Sequence, residues 1–261
     1  MADTAYTKET RNTVRRHRER GQYDFATVHS IVNQASILHV SFLPTDPLED
    51  PFPTILPMIG SVGLFSNPDN DPGAQPLDLY IHGHSASRLM RLPTAQGLEQ
   101  VPVCVAATML DGIKLALTPF NHSCNYRSAV LHGYASIVTD EAEKSWALAL
   151  ITDGLVPDRW DNSRVPPTKA EMTSTTVLKV SVVSASAKVN SGEPGDDRKD
   201  LKDDAVTSSV WTGVLPVHEQ IGAPQPSSTN KVAKVPQYLD QWWQAENTKR
   251  ETYAHDASRP K

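Results

Sequence analysis

The sequence predicts a mainly β protein, an antiparallel barrel or sandwich with flanking helices. Three observations lead there. Some six or more apolar runs of strand length are separated by turn residues. The 20 prolines outnumber the 13 glycines, a balance that suits short strands and extended connections better than a helical bundle. Only three segments place their apolar residues at clear helical spacing.

Taken in order, residues 1–22 are polar and locally basic, with Arg11, Arg15, Arg16, Arg18 and Arg20. They read as a solvated arm that packs on a neighbour, or as one that recruits phosphate or RNA. Residues 24–35 set Phe25, Val28, Ile31 and Val32 on one helical face behind Asp24, a good helix-starting residue. Strand candidates follow at 36–43, at 54–63 with a break at Pro57, at 77–82 with period two, and at 101–109. A turn at Asp111-Gly112 then leads to 114–117, and 128–138 follows with Gly133 as a bulge or bend. The last clear strand is 175–183. Helices are expected at 85–92 and at 140–151, where Asp140 caps the start, acids fill the first turn, and Trp146, Leu148 and Ile151 supply the apolar face. Residues 190–209 read as a long exposed loop. The final twenty or so are polar except for Trp242-Trp243.

Composition bounds the function. The 261 residues carry 25 Lys plus Arg against 30 Asp plus Glu, a net charge of −5. Nucleic acid is a poor partner for such a chain, because phosphate neutralisation needs a basic surface. No run approaches the roughly 18 apolar residues that span a bilayer, and the N-terminus lacks the apolar stretch of a secretory signal. Two cysteines, Cys104 and Cys124, exclude a disulfide scaffold and a four-thiolate zinc site. The expectation is a soluble cytoplasmic protein with reduced thiols, no membrane partner and no resident metal. Glycine-rich phosphate loops, GxSxG elbows and HExxH pairs are all missing, which disfavours dinucleotide dehydrogenases, P-loop enzymes, α/β-type serine hydrolases and zincins.

Four polar constellations remain. His82-Gly83-His84-Ser85-Ala86-Ser87-Arg88 lies where a strand gives way to a helix. Its hydroxyls, helix-start N–H groups and Arg88 make an anion cradle, or else a plain serine-capped helix. His82 and His84 would share a strand face, yet no third metal ligand stands nearby. Asn121-His122-Ser123-Cys124-Asn125-Tyr126-Arg127-Ser128 is costly to desolvate unless it binds a ligand or forms a network. A Cys124–His122 nucleophilic pair there lacks an orienting acid. Arg159-Trp160 with Arg164 suits stacking on a planar ring or packing under a loop. Lys188 ends a strand before the acidic loop and is either solvated or a donor to a bound group.

In order and spacing these pieces resemble the FMN-binding split-barrel group, specifically the pyridoxamine 5′-phosphate oxidase-related branch that includes nitroimidazole-reductase-like proteins. The resemblance runs over residues 10–217. It begins at Thr10-Arg11-Asn12, continues through Leu56-Pro57-Met58 and Tyr80-Ile81-His82-Gly83 with Ser87-Arg88, and is strongest at His122-Ser123 with Asn125-Tyr126-Arg127-Ser128. It ends at Ser186-Ala187-Lys188 and Trp211 with Gly213. The chain departs at Leu117, where the family pattern has arginine, and at Asp158, where it has glycine.

The resemblance implies a six-stranded antiparallel Greek-key split barrel spanning 23–217, after a basic arm (1–22) and before a polar extension (218–261). It further implies a homodimer with FMN at the interface, working as an oxidoreductase on a small molecule. The flavin phosphate would lie against Ser87 and Arg88, helped by Tyr126, Arg127 and Ser128. Met58, Ile59, His82 and Gly83 would border the ring, and Lys188 and Trp211 would close the site. No dedicated catalytic acid or base is expected, since the flavin carries the electrons. The alternatives are a non-catalytic haem- or flavin-binding module, with His82, His84 or His122 as axial ligands, and a barrel turned to another small ligand.

Overall fold

A computed structural model of the protein describes residues 4–46 and 48–260; the outermost residues of the arm and the extension lie outside it. The strands are β1 (Gly21–Gln22), β2 (Leu38–Phe42), β3 (Thr54–Met58), β4 (Gly60–Gly63), β5 (Asp78–His84), β6 (Gln100–Leu115), β7 (Ser123–Ile137), β8 (Thr175–Asn190) and β9 (Gly213–Pro216). The helices are α1 (Phe25–Gln34), α2 (Arg88–Gln96), α3 (Glu141–Leu155), α4 (Lys169–Ser174), α5 (Asp204–Ser209) and α6 (Gln237–Ala257). The nine described strands form one sheet in the order β3-β2-β6-β7-β8-β5-β4, with β1 added to β8 and β9 to β6. The pairings β1–β8, β2–β3, β2–β6, β4–β5, β5–β8 and β6–β9 are antiparallel.

This corrects the six-stranded barrel. Among the described residues the sheet holds nine strands and does not close, because β3 and β4 are its two edge strands, each paired on one side only. The surplus comes from short strands. β1 has 2 residues, and β4 and β9 have 4 each, too few to display a period. The 54–63 run also divides at Ile59 instead of Pro57, which pairs with His39 inside β3. The turn expected at Asp111-Gly112 is absent. β6 continues through it for 16 residues, and a Cβ on Gly112 would stand 2.8 Å from Val214 Cγ1, so glycine lets β9 approach. The polar run 123–128 is not a turn either, but the first part of β7.

The chain divides into two compact units: residues up to Thr108 with Ser128–Lys188, and Met109–Arg127 with Val189 onward. In the first unit, Asp24 accepts from the Thr27 N–H at 2.8 Å and starts α1, which buries Phe25, Val28, Ile31 and Val32. Each such side chain contributes roughly 1.5–3 kcal/mol. Asp140 caps α3 in the same way, through the Glu143 N–H, and α3 buries Ala147, Leu148 and Ile151 against Tyr80, Val138 and Val177. His29 is buried in this unit with both nitrogens satisfied. Its Nδ1–H donates to the Pro72 carbonyl at 2.7 Å, and Nε2 accepts from the Tyr6 hydroxyl at 2.8 Å.

The second unit is organised by α6, a 21-residue helix where the sequence reads only as polar. Ala254 and Ala257 are buried. The Ala257 carbonyl accepts from the Gly192 N–H at 2.7 Å and from Asn125 Nδ2 at 3.0 Å. Asn247 both donates to and accepts from the backbone of Ile221. Lys114, 5% exposed, donates to the carbonyls of Ser191 and Glu193 at 3.3 and 3.1 Å. Among the described residues, no helix is long and apolar enough to cross a membrane.

Candidate functional site

The first unit assembles part of the expected cradle. Period-two pairing along β5 sets Gly83 opposite Thr176 on β8, and an ideal Cβ on Gly83 would lie 3.1 Å from Met90 Cε and 3.7 Å from Met58 Cε. Two flexible thioethers therefore cover the backbone at Gly83, one from the end of β3 and one from α2. Ile59, the residue after Met58, packs into the core against α3 instead.

The loop after β5 spends its own N–H groups. Ser85 N–H donates to the Ser174 carbonyl, Ala86 N–H to His84 Nδ1 and Ser87 N–H to the His84 carbonyl, at 2.8, 3.1 and 2.8 Å. Ser87 then sits at the N-cap of α2, but its hydroxyl makes no capping bond. The N–H groups of Arg88, Leu89 and Met90 have no acceptor within the helix, so the start of α2 carries a partial positive charge beside a serine hydroxyl that is not used as a cap. Arg88 is exposed, with its guanidinium 5.8 Å from the Phe42 ring centroid. His82 has Nδ1 buried without a hydrogen-bond partner among the described residues, and burial lowers its pKa, which favours the neutral ring.

Ser128 and Lys188 meet on neighbouring strands, where the Ser128 hydroxyl donates to the Lys188 carbonyl at 3.2 Å. Tyr126, Arg127 and Trp211 belong to the second unit. Arg127 grips Asp111 there in a two-pronged pair, Nη2 to Oδ1 at 2.7 Å and Nε to Oδ2 at 3.0 Å. The ring of Tyr253 lies over this guanidinium, 3.6 Å from Cζ to centroid. The two side chains of the ion pair are 12% and 4% exposed. Trp211 is 65% exposed, and its ring covers its own neighbour Gly213.

The other constellations resolve into structure. His122 Nδ1 accepts the Ala116 N–H at 2.9 Å, and the Cys124 carbonyl accepts from Asn190 Nδ2 at 2.6 Å. Trp160 packs against the α3 core. Arg164 binds both oxygens of Glu171, which also closes the capping box of α4. Arg164, with help from Thr168, holds the Glu171 carboxyl down at about 2. Among the described residues, no group of three or more His, Cys, Asp or Glu is placed to hold a metal.

Met90 and Asp111–Tyr253 are the site neighbours that residue-level reading does not supply. Met90 looks like ordinary helix filling. The Asp111 carboxylate lies 16 residues from its arginine and Tyr253 lies in the tail, so no local spacing announces either contact.

Three comparisons frame this geometry. The family described as pyridoxamine 5′-phosphate oxidase matches residues 24–189. Among solved structures, the flavocytochrome Anf3 of Azotobacter vinelandii is 29% identical with a TM-score of 0.72, over 89% of this chain and 96% of that one. The FAD and heme binding protein of Mycobacterium smegmatis is 24% identical with a TM-score of 0.68, over 85% of this chain and 96% of that one. No curated protein matches the sequence.

Proposed function

Because the chain belongs to the pyridoxamine 5′-phosphate oxidase family, we propose that it is a flavin-dependent oxidoreductase acting on a small molecule, with FMN as the flavin, held at a homodimer interface. The observation that carries this reading is the near end-to-end likeness to a flavocytochrome, 89% of one chain on 96% of the other.

The residues in the first unit fit a flavin. Gly83 offers bare backbone under Met58 and Met90, where any side chain would crowd the thioethers. Ser87 and the start of α2 offer donors for a phosphate, and Arg88 adds a fixed charge beside them. A bound flavin supplies one- and two-electron transfer. The chain's part is to hold it. Arg88 and Ser87 anchor the phosphate, Met58 and Met90 exclude water from one side, and His82 presents a neutral imidazole that adds no charge beside the ring. Arg127 is a weaker candidate for the phosphate than the sequence suggests, since Asp111 already neutralises it. Ser128, Lys188, Tyr126 and Trp211 remain proposed border residues.

The test is the visible spectrum of freshly purified protein, with mass spectrometry of whatever dissociates on denaturation and light scattering for the dimer. Yellow protein that releases FMN supports the reading. Release of FAD corrects the flavin species, and colourless protein that takes up neither flavin overturns it.

The flavocytochrome relative favours haem as a second reading. His84 and His122 each accept a backbone N–H at Nδ1, which leaves the proton of the neutral ring on Nε2 and opposes ligation through that atom. His82 has no such bond, so it is the axial candidate this structure favours. A Soret band lost in His82→Ala supports it; a Soret band retained there removes His82 from the site.

A further inference from the structure

A cavity of about 280 Å³ opens in the first unit, and none of its lining residues is one assigned to the flavin. It lies on the face of the sheet that the core leaves uncovered. Val40, Val105 and Leu131 are buried, so period two turns Ser41, Cys104 and His132 to the opposite face, while the buried Phe42 and Val103 also contribute to the lining. Ser41 and Cys104 are direct cross-strand partners of β2 and β6. Leu43, Pro53, Pro102 and Val183 supply apolar walls.

One permanent charge lines this cavity, and it comes from the basic arm. Asn12, buried at 3%, donates to the carbonyls of Thr7 and Ala185 at 2.9 and 3.0 Å, which ties the arm to β8 and fixes the backbone beside Arg11. Arg11 is otherwise engaged with Glu9, Nε to Oε2 at 3.0 Å, in a pair that is about half exposed on both sides and therefore contributes little. His132 adds no second charge. Its Nδ1 is cut off from water with no partner among the described residues, so a protonated ring would strand an N–H. Burial and the nearby Arg11 both lower its pKa, and Glu9 opposes them. Cys104 likewise stays a neutral thiol, because burial raises its pKa. The cavity thus combines apolar walls, neutral polar groups and one cation at its edge.

We propose that this cavity is a binding site for a small aromatic carboxylate, its ring against Leu43, Pro53, Pro102 and Val183 and its carboxylate on Arg11, with His132 and Ser41 as neutral hydrogen-bonding groups. The volume suits one or two rings, and a single monodentate or forked contact to guanidinium suits a carboxylate. Glu9 competes with the ligand for Arg11. The site does not rest on the flavin reading.

The probe is 2-naphthoate, titrated by calorimetry into the full chain with whatever cofactor it carries. One saturable site is expected. Arg11→Gln and Val183→Trp, both at exposed positions, each weaken it by about tenfold or more, the first by removing the charge and the second by filling the cavity. Glu9→Gln tightens it, because the competing carboxylate is gone. The neutral analogue 2-naphthylmethanol binds more weakly than 2-naphthoate to wild type and indifferently to Arg11→Gln. Absence of saturable binding, or an affinity unmoved by Val183→Trp or Arg11→Gln, overturns the proposal. Loss of bound flavin in step with naphthoate uptake also overturns it, by making the cavity part of the flavin site, whereas a colourless protein that still binds naphthoate leaves this site standing while the flavin reading falls.

Discussion

In the first unit the buried side chains are mostly those of an ordinary apolar core, Leu38, Val40, Leu79, Ile81, Leu131, Leu178 and their neighbours, with Asn12, His29, Ser61 and Ser184 among them. In the second unit the buried apolar residues among those described are Ala116, Leu117, Ala254 and Ala257, three of them alanines. The buried polar side chains described there are Asp111, Lys114, Asn125 and Asn190. One unit is held by area removed from water, the other by charges and amides tied to backbone carbonyls. The difference bears on function through two arginines. Arg88 stands exposed at a helix start in the first unit, with no ion pair among the described residues, whereas Arg127 is clamped by Asp111 under Tyr253 in the second. The same residue type, in equally polar motifs, serves a ligand in one reading and the fold in the other.

Arg127→Ala is the sharpest way to break that contrast. It leaves the Asp111 carboxylate buried without its partner, and a loss of about 3–5 kcal/mol is expected from such a stranded charge. Urea denaturation measures it. The double variant Asp111→Ala/Arg127→Ala should recover part of the loss, because neither charge is then stranded. If Arg127→Ala instead unfolds like wild type and only loses flavin, the arginine is a ligand group after all, and the distinction between the two units fails at its main point.

Arg88→Ala tests the other side. Its stability should stay within about 0.5 kcal/mol of wild type, since the side chain is exposed. Flavin affinity should fall by roughly 10- to 100-fold, the equivalent of one charge-assisted bond of about 1.5–3 kcal/mol. Fluorescence titration of the flavin-free protein reads the affinity, and urea denaturation reads the stability. A smaller effect arises at Tyr80, whose hydroxyl donates to Glu143 at 2.7 Å while Lys179 holds the same oxygen at 2.8 Å. Tyr80→Phe removes the neutral donor and leaves the ion pair, so about 1 kcal/mol should be lost. A loss as large as that of Arg127→Ala would show that the first unit also depends on a polar clamp.

The same contrast explains what the sequence reveals. The helix starts at Asp24 and Asp140 are legible because a capping carboxylate and a 3.6-residue apolar stripe are local signals. The long strands are legible in their apolar halves, such as 128–137 of β7, through alternation. Their polar halves are not. The stretch 123–127 looks like a turn because the second unit buries amides and charges, which hydropathy scores as solvent-facing. α6 is missed for the same reason: its buried face is two alanines and its anchors are hydrogen bonds from Asn125 and Asn247. Within the candidate site, Gly83, Ser87 and Arg88 are legible as a motif, and the structure sets them in sequence along the β5–α2 connection: Gly83 near the end of β5, Ser87 at the N-cap and Arg88 opening α2. The fate of Arg127 is not legible, since nothing in a polar run tells which arginine a distant carboxylate will claim.

Acid should separate the two units again, with the smallest effect of those considered. The buried imidazoles whose pKa is displaced, His29, His82 and His132, all belong to the first unit, and burial is the main cause that lowers each. A histidine with a lowered folded-state pKa binds fewer protons folded than unfolded once the pH falls below the ordinary value of about 6.5. Its contribution is therefore intact above that value and is lost as the pH falls through it toward the folded pKa. The cation buried in the second unit's central clamp is a guanidinium, which keeps its proton throughout. Amide hydrogen exchange at pH 7 and pH 5.5, corrected for intrinsic rates, should show protection falling in α1 and β5 more than in α6. His29→Gln, which cannot titrate, should flatten that dependence around α1, because the hydrogen bonds to Pro72 and Tyr6 converge on this ring. Equal loss of protection in α6 would mean that the second unit carries its own mild-acid switch, and that a buried charge network is no more resistant to protonation than an apolar core containing neutral histidines.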